Sequence, residues 1–260
     1  MTRQALHDDG LCTKYAHAYK VHTSCVRCTL ALVSTYIWSR PERPERGAGL
    51  NRERIVAAAM AIADADGLDA VTMRRVAAEI GVSTMALYRH VENKADILDL
   101  MLDAAYGELR LAPAPADGWR ASMDRLAREV RAMVLRHPWF ATLAHTRPPS
   151  PNYVAFYDHC LGALKGLPLS PVRLHAAVNM VVNHAVTFAQ MEHTISVQWK
   201  DLGAAEREAA QSIGAYLGTL MASGRYPHFT AAMGTARPAP DEMFAMGLDL
   251  ILTGIAASAS

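Results

Sequence analysis

The chain has 260 residues, 51% of them hydrophobic, and a formal net charge of +1. This hydrophobic content excludes a mainly disordered protein, and the near-zero charge excludes a strongly basic nucleic-acid coat protein. The length is enough for two structural units. No apolar run reaches the ~20 residues needed to cross a bilayer, and no signal-peptide pattern is present. The sequence therefore predicts a cytoplasmic protein with no membrane contact.

Residues 1–49 are predicted to be an extension and linker without regular structure. Cys25 and Cys28 form a CxxC motif that suits a zinc or redox site, but no second pair stands at zinc-site spacing. Free thiols are therefore favoured, and no metal or cofactor is predicted. The segment 39–49 is rich in Pro, Gly and charge. Its arginines 40, 43 and 46 suit a DNA-contacting arm. Two glutamates nearly cancel their positive charge, however, and favour a solvated linker.

The region 50–110 predicts three helices, a sharp turn and a fourth helix. Asn51 caps a helix over 52–66. Thr72 caps a second helix that runs to residue 80, and Gly81 suits the turn because glycine tolerates positive φ. Ser83 caps a third helix, predicted to end at residue 90. Asn93 caps the fourth, predicted to reach residue 109, with Asp96 as its capping-box partner.

The third helix favours DNA contact over a plain helical hairpin. A structural surface helix more often carries Glu/Lys pairs four residues apart. Here the surface offers hydroxyl, aromatic and cationic groups that suit phosphate oxygens and base edges. The second and third helices would form a corner that presents the third to the major groove. The predicted DNA-binding residues are Thr72, Arg74, Ser83, Thr84, Met85, Leu87, Tyr88, Arg89, His90 and Lys94.

Every strong pattern after residue 117 is helical, and no strand alternation occurs. Ala112–Gly118, with two prolines, separates this larger domain (117–258) from the first. The predicted fold is therefore all-α, with an N-terminal three-helix helix-turn-helix domain and a larger C-terminal helical domain. Its helices are predicted over 119–136, 152–164, 171–196, 204–221 and 241–257.

The stretch RERIVAAAMAIADADGLDAVTMRRVAAEIGVSTMALYRHVENKADILDLML resembles the N-terminal domain of the tetracycline-repressor (TetR) family, most specifically in LYRHVENKADIL. The resemblance implies a homodimer that binds palindromic double-stranded operator DNA and releases it when a small-molecule inducer enters the C-terminal domain. It implies phosphate contacts for Tyr88, His90 and Lys94. It places Thr84, Met85 and Arg89 on the base-reading face.

Apolar and aromatic residues with a few polar groups suit an effector pocket. The candidates are Trp139, Phe156, His159, Met180, Asn183, His184, Phe188 and Met191, each of which also fits a plain core. The resemblance makes a metal-assisted effector conceivable, but structural histidines are favoured because no HExxH motif occurs. No phosphate loop or nucleophile elbow is present, so no enzyme is predicted. An architectural DNA binder without inducer, and a helical carrier or enzyme, remain the alternatives.

Overall fold

The computed structural model describes residues 36–40, 50–111, 118–200, 203–234 and 238–259. Within these ranges all regular structure is helical, and no strand occurs. The all-α prediction is confirmed. None of the helices in these ranges is long and apolar enough to cross a membrane.

Three helices form the corner that the sequence predicts to bind DNA. They are α1 (Arg52–Asp66), α2 (Met73–Ile80) and α3 (Thr84–Leu87), with a 3-10 turn at Leu68–Ala70. The predicted caps are present, since Asn51, Thr72 and Ser83 each accept a hydrogen bond from the backbone N–H three residues on. Gly81 adopts the left-handed conformation at φ +78°. Helix α3 ends three residues before the predicted position, because Arg89 and His90 donate to carbonyls three residues back and tighten the chain into turns.

Helix α4 (Lys94–Gly107) joins this corner to the larger domain. Asn93 caps it as predicted, accepting from the Asp96 N–H at 3.0 Å. The predicted capping box is only half formed, because the Asp96 carboxylate accepts from the Glu92 N–H at 2.7 Å instead of from Asn93. Buried Ile97, Met101 and Ala105 lie on the face that packs toward α1. The helix stops two residues short of the predicted end at 109.

Seven helices form the larger domain. The long α8 packs against α5 and α11 in the middle of it, while α7 covers α4. The two shortest helices were not predicted, since four and seven residues are too few to show a periodic pattern. The helices are α5 (Gly118–Arg136), α6 (Phe140–Leu143), α7 (Pro151–Ala163), α8 (Pro171–Lys200), α9 (Ala204–Ala222), α10 (Pro227–Met233) and α11 (Pro240–Ser258).

Helices α8 and α11 approach each other closely at Gly247. A Cβ built there would lie 2.6 Å from Cε1 of His184. The His184 ring stacks on Phe244, with 5.0 Å between ring centroids, and its Nε2 lies 3.0 Å from the Phe244 carbonyl oxygen. The spacing of α8 and α11 is therefore set by the close contact at Gly247 and by the packing of His184 against Phe244.

Candidate nucleic-acid interface and effector site

The corner presents α3 and the following turn to solvent. Met85 is 73% exposed and Tyr88 47% exposed, and Arg89 is also exposed. Thr84 and His90 are half-buried beside them. Leu87 was predicted to bind DNA, and this is wrong: its side chain is fully buried and packs in the core of the corner. A leucine that faces inward holds the helix in place and cannot reach a base edge.

The remaining predicted DNA contacts surround this face. Thr72 and Ser83 are exposed and use their hydroxyls as helix caps. Arg74 is exposed on α2. Lys94 is half-buried, and its Nζ donates to the Leu68 carbonyl oxygen at 2.9 Å. This bond ties the first turn of α4 to the turn that follows α1.

Three buried aspartates follow one face of α4. Asp96, Asp99 and Asp103 are 4%, 8% and 8% exposed and form what we term the acidic stripe. Each binds a group from outside the helix-turn-helix. The partners are Arg40 for Asp96, Arg147 Nε for Asp99 at 2.6 Å, and the Asn152 backbone N–H for Asp103 at 2.7 Å.

Arg147 links α4 to the loop between α6 and α7. Besides its bond to Asp99, its Nη2 donates to the Ala95 carbonyl oxygen at 2.6 Å. Burial raises the pKa of the Asp99 carboxyl, and the Arg147 guanidinium partly opposes this. A charged pair with little access to water depends strongly on its geometry. The orientation of α4 is therefore sensitive to the position of this loop.

The same loop lines a cavity of about 540 Å³ beside α4. Arg147, Pro148 and Pro149 form one wall, and Tyr106 and Tyr153 form another. The Tyr106 ring contacts Phe140, Tyr153 and Phe156, with ring centroids 5.0, 5.3 and 5.4 Å apart. Burial raises the pKa of Tyr106, so its hydroxyl keeps its proton. The cavity offers aromatic walls with one cation, and these suit a planar, largely apolar molecule.

The predicted effector residues do not share one cavity. Phe156 is fully buried behind Tyr106, and His159 is half-buried on α7. Trp139 lines a second cavity, of about 610 Å³, between α1 and the end of α8. Met180 is 54% exposed and lines a groove between α8 and α11.

The other four predictions lie on α8. Asn183 and Met191 are exposed. His184 and Phe188 pack against Phe244. Sequence reasoning missed Tyr106, Arg147 and Tyr153. The only available signal was a cation followed by two prolines in a helix connection, Arg147-Pro148-Pro149.

A second link between the domains centres on His137, which is 8% exposed. Its Nδ1 lies 2.8 Å from Asp64 at the end of α1, and its Nε2 lies 3.0 Å from Glu108 after α4. Trp139 Nε1 also donates to Asp64, at 2.7 Å. Burial alone would raise the pKa of Glu108, but Arg136 and His137 outweigh burial and the pKa lies below its ordinary value.

No group of three or more His, Cys, Asp or Glu side chains suited to a metal ion occurs among the described residues. The CxxC at Cys25 and Cys28 lies outside them, as do the linker arginines 43 and 46. Arg40 is the one described member of the predicted arm, and it is bound to α4 by Glu92 and Asp96.

Two family profiles match the chain. Residues 55–101 match "Bacterial regulatory proteins, tetR family", and residues 112–259 match "Tetracyclin repressor-like, C-terminal domain". The HTH-type transcriptional repressor DrrR1 of Streptomyces coeruleorubidus is 36% identical over 227 residues, which cover 84% of this chain and 83% of the relative. The tetracycline repressor class A of transposon 1721 from Escherichia coli is 28% identical over 211 residues, 80% of this chain and 91% of the relative.

Solved structures agree with these sequence relatives. ActR of Streptomyces coelicolor in complex with (S)-DNPA superposes with a TM-score of 0.68 at 27% identity, covering 82% of this chain and all of ActR. Its complex with actinorhodin gives 0.68 at 28% identity over the same shares. The profiles, the repressor relatives and the shared architecture lead to one conclusion: this chain belongs to the TetR family of bacterial regulatory proteins.

Proposed function

We propose that this protein is a ligand-responsive transcriptional repressor. It binds palindromic operator DNA as a homodimer and leaves it when a small molecule occupies the cavity beside α4. One observation carries the proposal: α4 begins in the DNA-binding corner and ends at the cavity. Its acidic stripe binds the cavity loop through Arg147 and the start of α7 through Asn152.

DNA recognition is assigned to α3 and its flanks. Met85 and Arg89 point to solvent from the helix and turn that would enter the major groove. Three side chains carry O–H or N–H groups that can donate hydrogen bonds to phosphate oxygens: Tyr88, His90 and, at the start of α4, Lys94. A bidentate Arg–guanine contact is worth roughly 1–3 kcal/mol of discrimination, whereas a phosphate contact adds affinity for every sequence alike.

A second copy of the chain is the proposed occupant of the apolar face on α8 and α11. Val172 is 78% exposed, Met246 58% and Leu250 74%, and with Met180 they lie on or beside the groove between these helices. Such a patch on a soluble monomer marks an interaction surface. An isologous contact here would give the two-fold symmetry that a palindromic operator requires.

The proposed effector is a planar, mainly aromatic molecule with an acceptor group for Arg147. The similar ActR structures hold actinorhodin or (S)-DNPA, which supports a small-molecule effector for this chain. An occupant of the cavity would press on Arg147 and Tyr153, and Arg147 holds Asp99. A tilt of α4 then changes the spacing of the two recognition helices from the ~34–36 Å that successive major grooves need. The effector acts only through its different affinity for the two arrangements.

Binding to the DNA that flanks the protein's own gene tests this function. Fluorescence anisotropy should show a complex of two chains per duplex, and added small molecules from an aromatic library should dissociate it. Arg89→Ala should relax sequence preference, whereas Lys94→Ala should weaken specific and random duplexes equally and lower the salt slope by about one. A protein that binds the flanking DNA no better than random DNA would exclude the repressor function. An operator complex that no library member dissociates would remove the effector from the proposal.

A further inference from the structure

Five residues ahead of the DNA-binding domain are part of its packed structure. Tyr36–Arg40 form a 3-10 turn that lies against α4. Ile37 is fully buried in the main hydrophobic core, and Trp38 packs against that core. An isoleucine with no exposed surface contributes stability as any core residue does. The segment is therefore attached to the folded body.

Arg40 fixes the C-terminal end of this segment to the start of α4. Its Nη1 lies 2.9 Å from Oε1 of Glu92, and its Nη2 binds Oδ1 of Asp96. Burial disfavours the charged guanidinium, but hydrogen bonds to Asp96 and Glu92 outweigh burial and raise the pKa of Arg40. One permanent cation thus binds two carboxylates and offsets part of their negative charge.

Tyr36 fixes the other end to the effector domain. Its hydroxyl donates to the carbonyl oxygen of Pro149, which lies in the loop that lines the 540 Å³ cavity. Burial raises the pKa of Tyr36 to about 12, and the Asp99 carboxylate adds to this. The hydroxyl therefore keeps the proton that it donates. Both domains are held by the same five residues.

The two carboxylates that Arg40 binds flank Lys94 in the sequence. Glu92 precedes this lysine by two residues and Asp96 follows it by two. Lys94 is a phosphate contact in the proposed function. Uncompensated carboxylates at this position would repel the DNA backbone, over distances that salt screening limits to ~10 Å at 0.1 M.

We infer that Tyr36–Arg40 is a working part of the DNA-binding unit, an N-terminal clasp in which Arg40 lowers the negative charge of Glu92 and Asp96 beside the DNA-facing start of α4. The inference rests on the proposed DNA-binding function. It assigns to Arg40 an indirect role, because this residue positions these two carboxylates and offsets part of their charge without itself contacting DNA. Tyr36 and Ile37 hold the segment against the protein and so keep the Arg40 guanidinium in place.

The test uses the full-length chain with Arg40→Ala. We expect the dissociation constant to rise roughly five- to tenfold for operator and random duplexes alike at low salt, with a smaller rise at high salt. The control is Arg43→Ala, which removes an identical charge three residues further on. We expect less than a twofold change for it. Equal losses in the two variants, or none in Arg40→Ala, would overturn the clasp.

Further variants separate charge from folding. Arg40→Lys should retain most of the affinity, and Glu92→Gln combined with Arg40→Ala should recover most of what Arg40→Ala loses. Glu92→Gln alone, at a side chain that is 60% exposed, leaves the fold intact and should bind DNA slightly more tightly than wild type. Weaker binding by Glu92→Gln would contradict the inference even if Arg40→Ala fails to fold. Wild-type protein without any DNA affinity would instead defeat the proposed function.

Ile37→Ala tests the packing of the clasp separately. Because Ile37 is fully buried, we expect the melting temperature to fall by about 5–15 °C. Val154→Ala on α7, at a side chain that is 56% exposed and outside the proposed dimer face, is the control and should change it little. A melting temperature unaffected by Ile37→Ala would show that the segment is not part of the folded protein.

Discussion

The helix-turn-helix corner and the joint between the two domains are held by interactions of different range. In the corner, Thr72 and Ser83 cap helices through bonds that span three residues. In the joint, Arg147 binds Asp99 across 48 residues and Tyr36 binds Pro149 across 113. The corner is thus fixed by its own local sequence. The joint depends on how distant segments meet.

In the proposed function, this difference suits a DNA-binding domain whose orientation an effector changes. A locally fixed corner keeps its shape while its orientation changes, because none of its caps crosses the joint. The joint is made of a few charged contacts around a cavity, and repacking of such contacts is one way in which proteins switch between two arrangements. Substitutions in the corner should therefore change stability and recognition, whereas substitutions in the joint should change the response to effector.

The largest effect is expected inside the corner. Leu87→Ala leaves a cavity at a fully buried site, so we expect a loss of about 2–5 kcal/mol in the free energy of unfolding. Operator binding should fall with the folded fraction. Urea unfolding measures the loss. Met85→Ala, two residues away and 73% exposed, is the control and should stay within about 0.5 kcal/mol of wild type.

The next effect concerns the joint. Arg147→Ala strands the buried Asp99 carboxylate, and we expect it to cost about 2–3 kcal/mol. Effector-dependent release of operator should weaken at the same time, while the preference for operator over random DNA stays as in wild type. Arg128→Ala removes an exposed pair with Asp124 on α5 and should cost about 0.5 kcal/mol or less. An altered sequence preference in Arg147→Ala would show that corner and joint are not separable.

A smaller effect is expected at the cap of α3. Ser83→Ala removes the acceptor for the Ala86 N–H, at a cost of about 1 kcal/mol. Chemical denaturation gives this value, and Ser83→Asp should restore most of it because aspartate caps equally well. Since the cap also orients the recognition helix, operator affinity should fall more than random-DNA affinity. Equal losses would limit Ser83 to a role in stability.

The smallest effect is a pH dependence at Glu108. Its pKa in the folded chain lies below the ordinary 4.5, so its interactions with Arg136 and His137 stabilise the protein above pH 4.5. This contribution fades as the pH falls through the folded pKa. The stability difference between wild type and Glu108→Gln should therefore shrink as the pH falls below 4.5. A difference that grows on acidification would reverse the assigned sign.

The range of these interactions also explains what the sequence could predict. Caps, the Gly81 turn and helix periodicity are local, and they predicted α1, α2 and α4 closely. The length of α3 was overestimated because Tyr88–His90 carry helix-compatible residues in a turn. The cavity at Tyr106 and Arg147 was missed because its walls come from three segments. The attachment of Ile37 was missed for the same reason, since no pattern in five residues shows which distant segment they pack against.

The contact of Gly247 with His184 limits which sequences this fold accepts. A single methyl group at 247 would lie 2.6 Å from Cε1 of the His184 imidazole, so either that ring or the two helices would have to move. These helices also carry the exposed apolar face, and its shape would change with their separation. Gly247 is half-buried at this contact, and a residue with no side chain thus limits how closely the two helices can be approached by any other residue. A substitution at 247 should therefore be tolerated best together with a smaller side chain at 184.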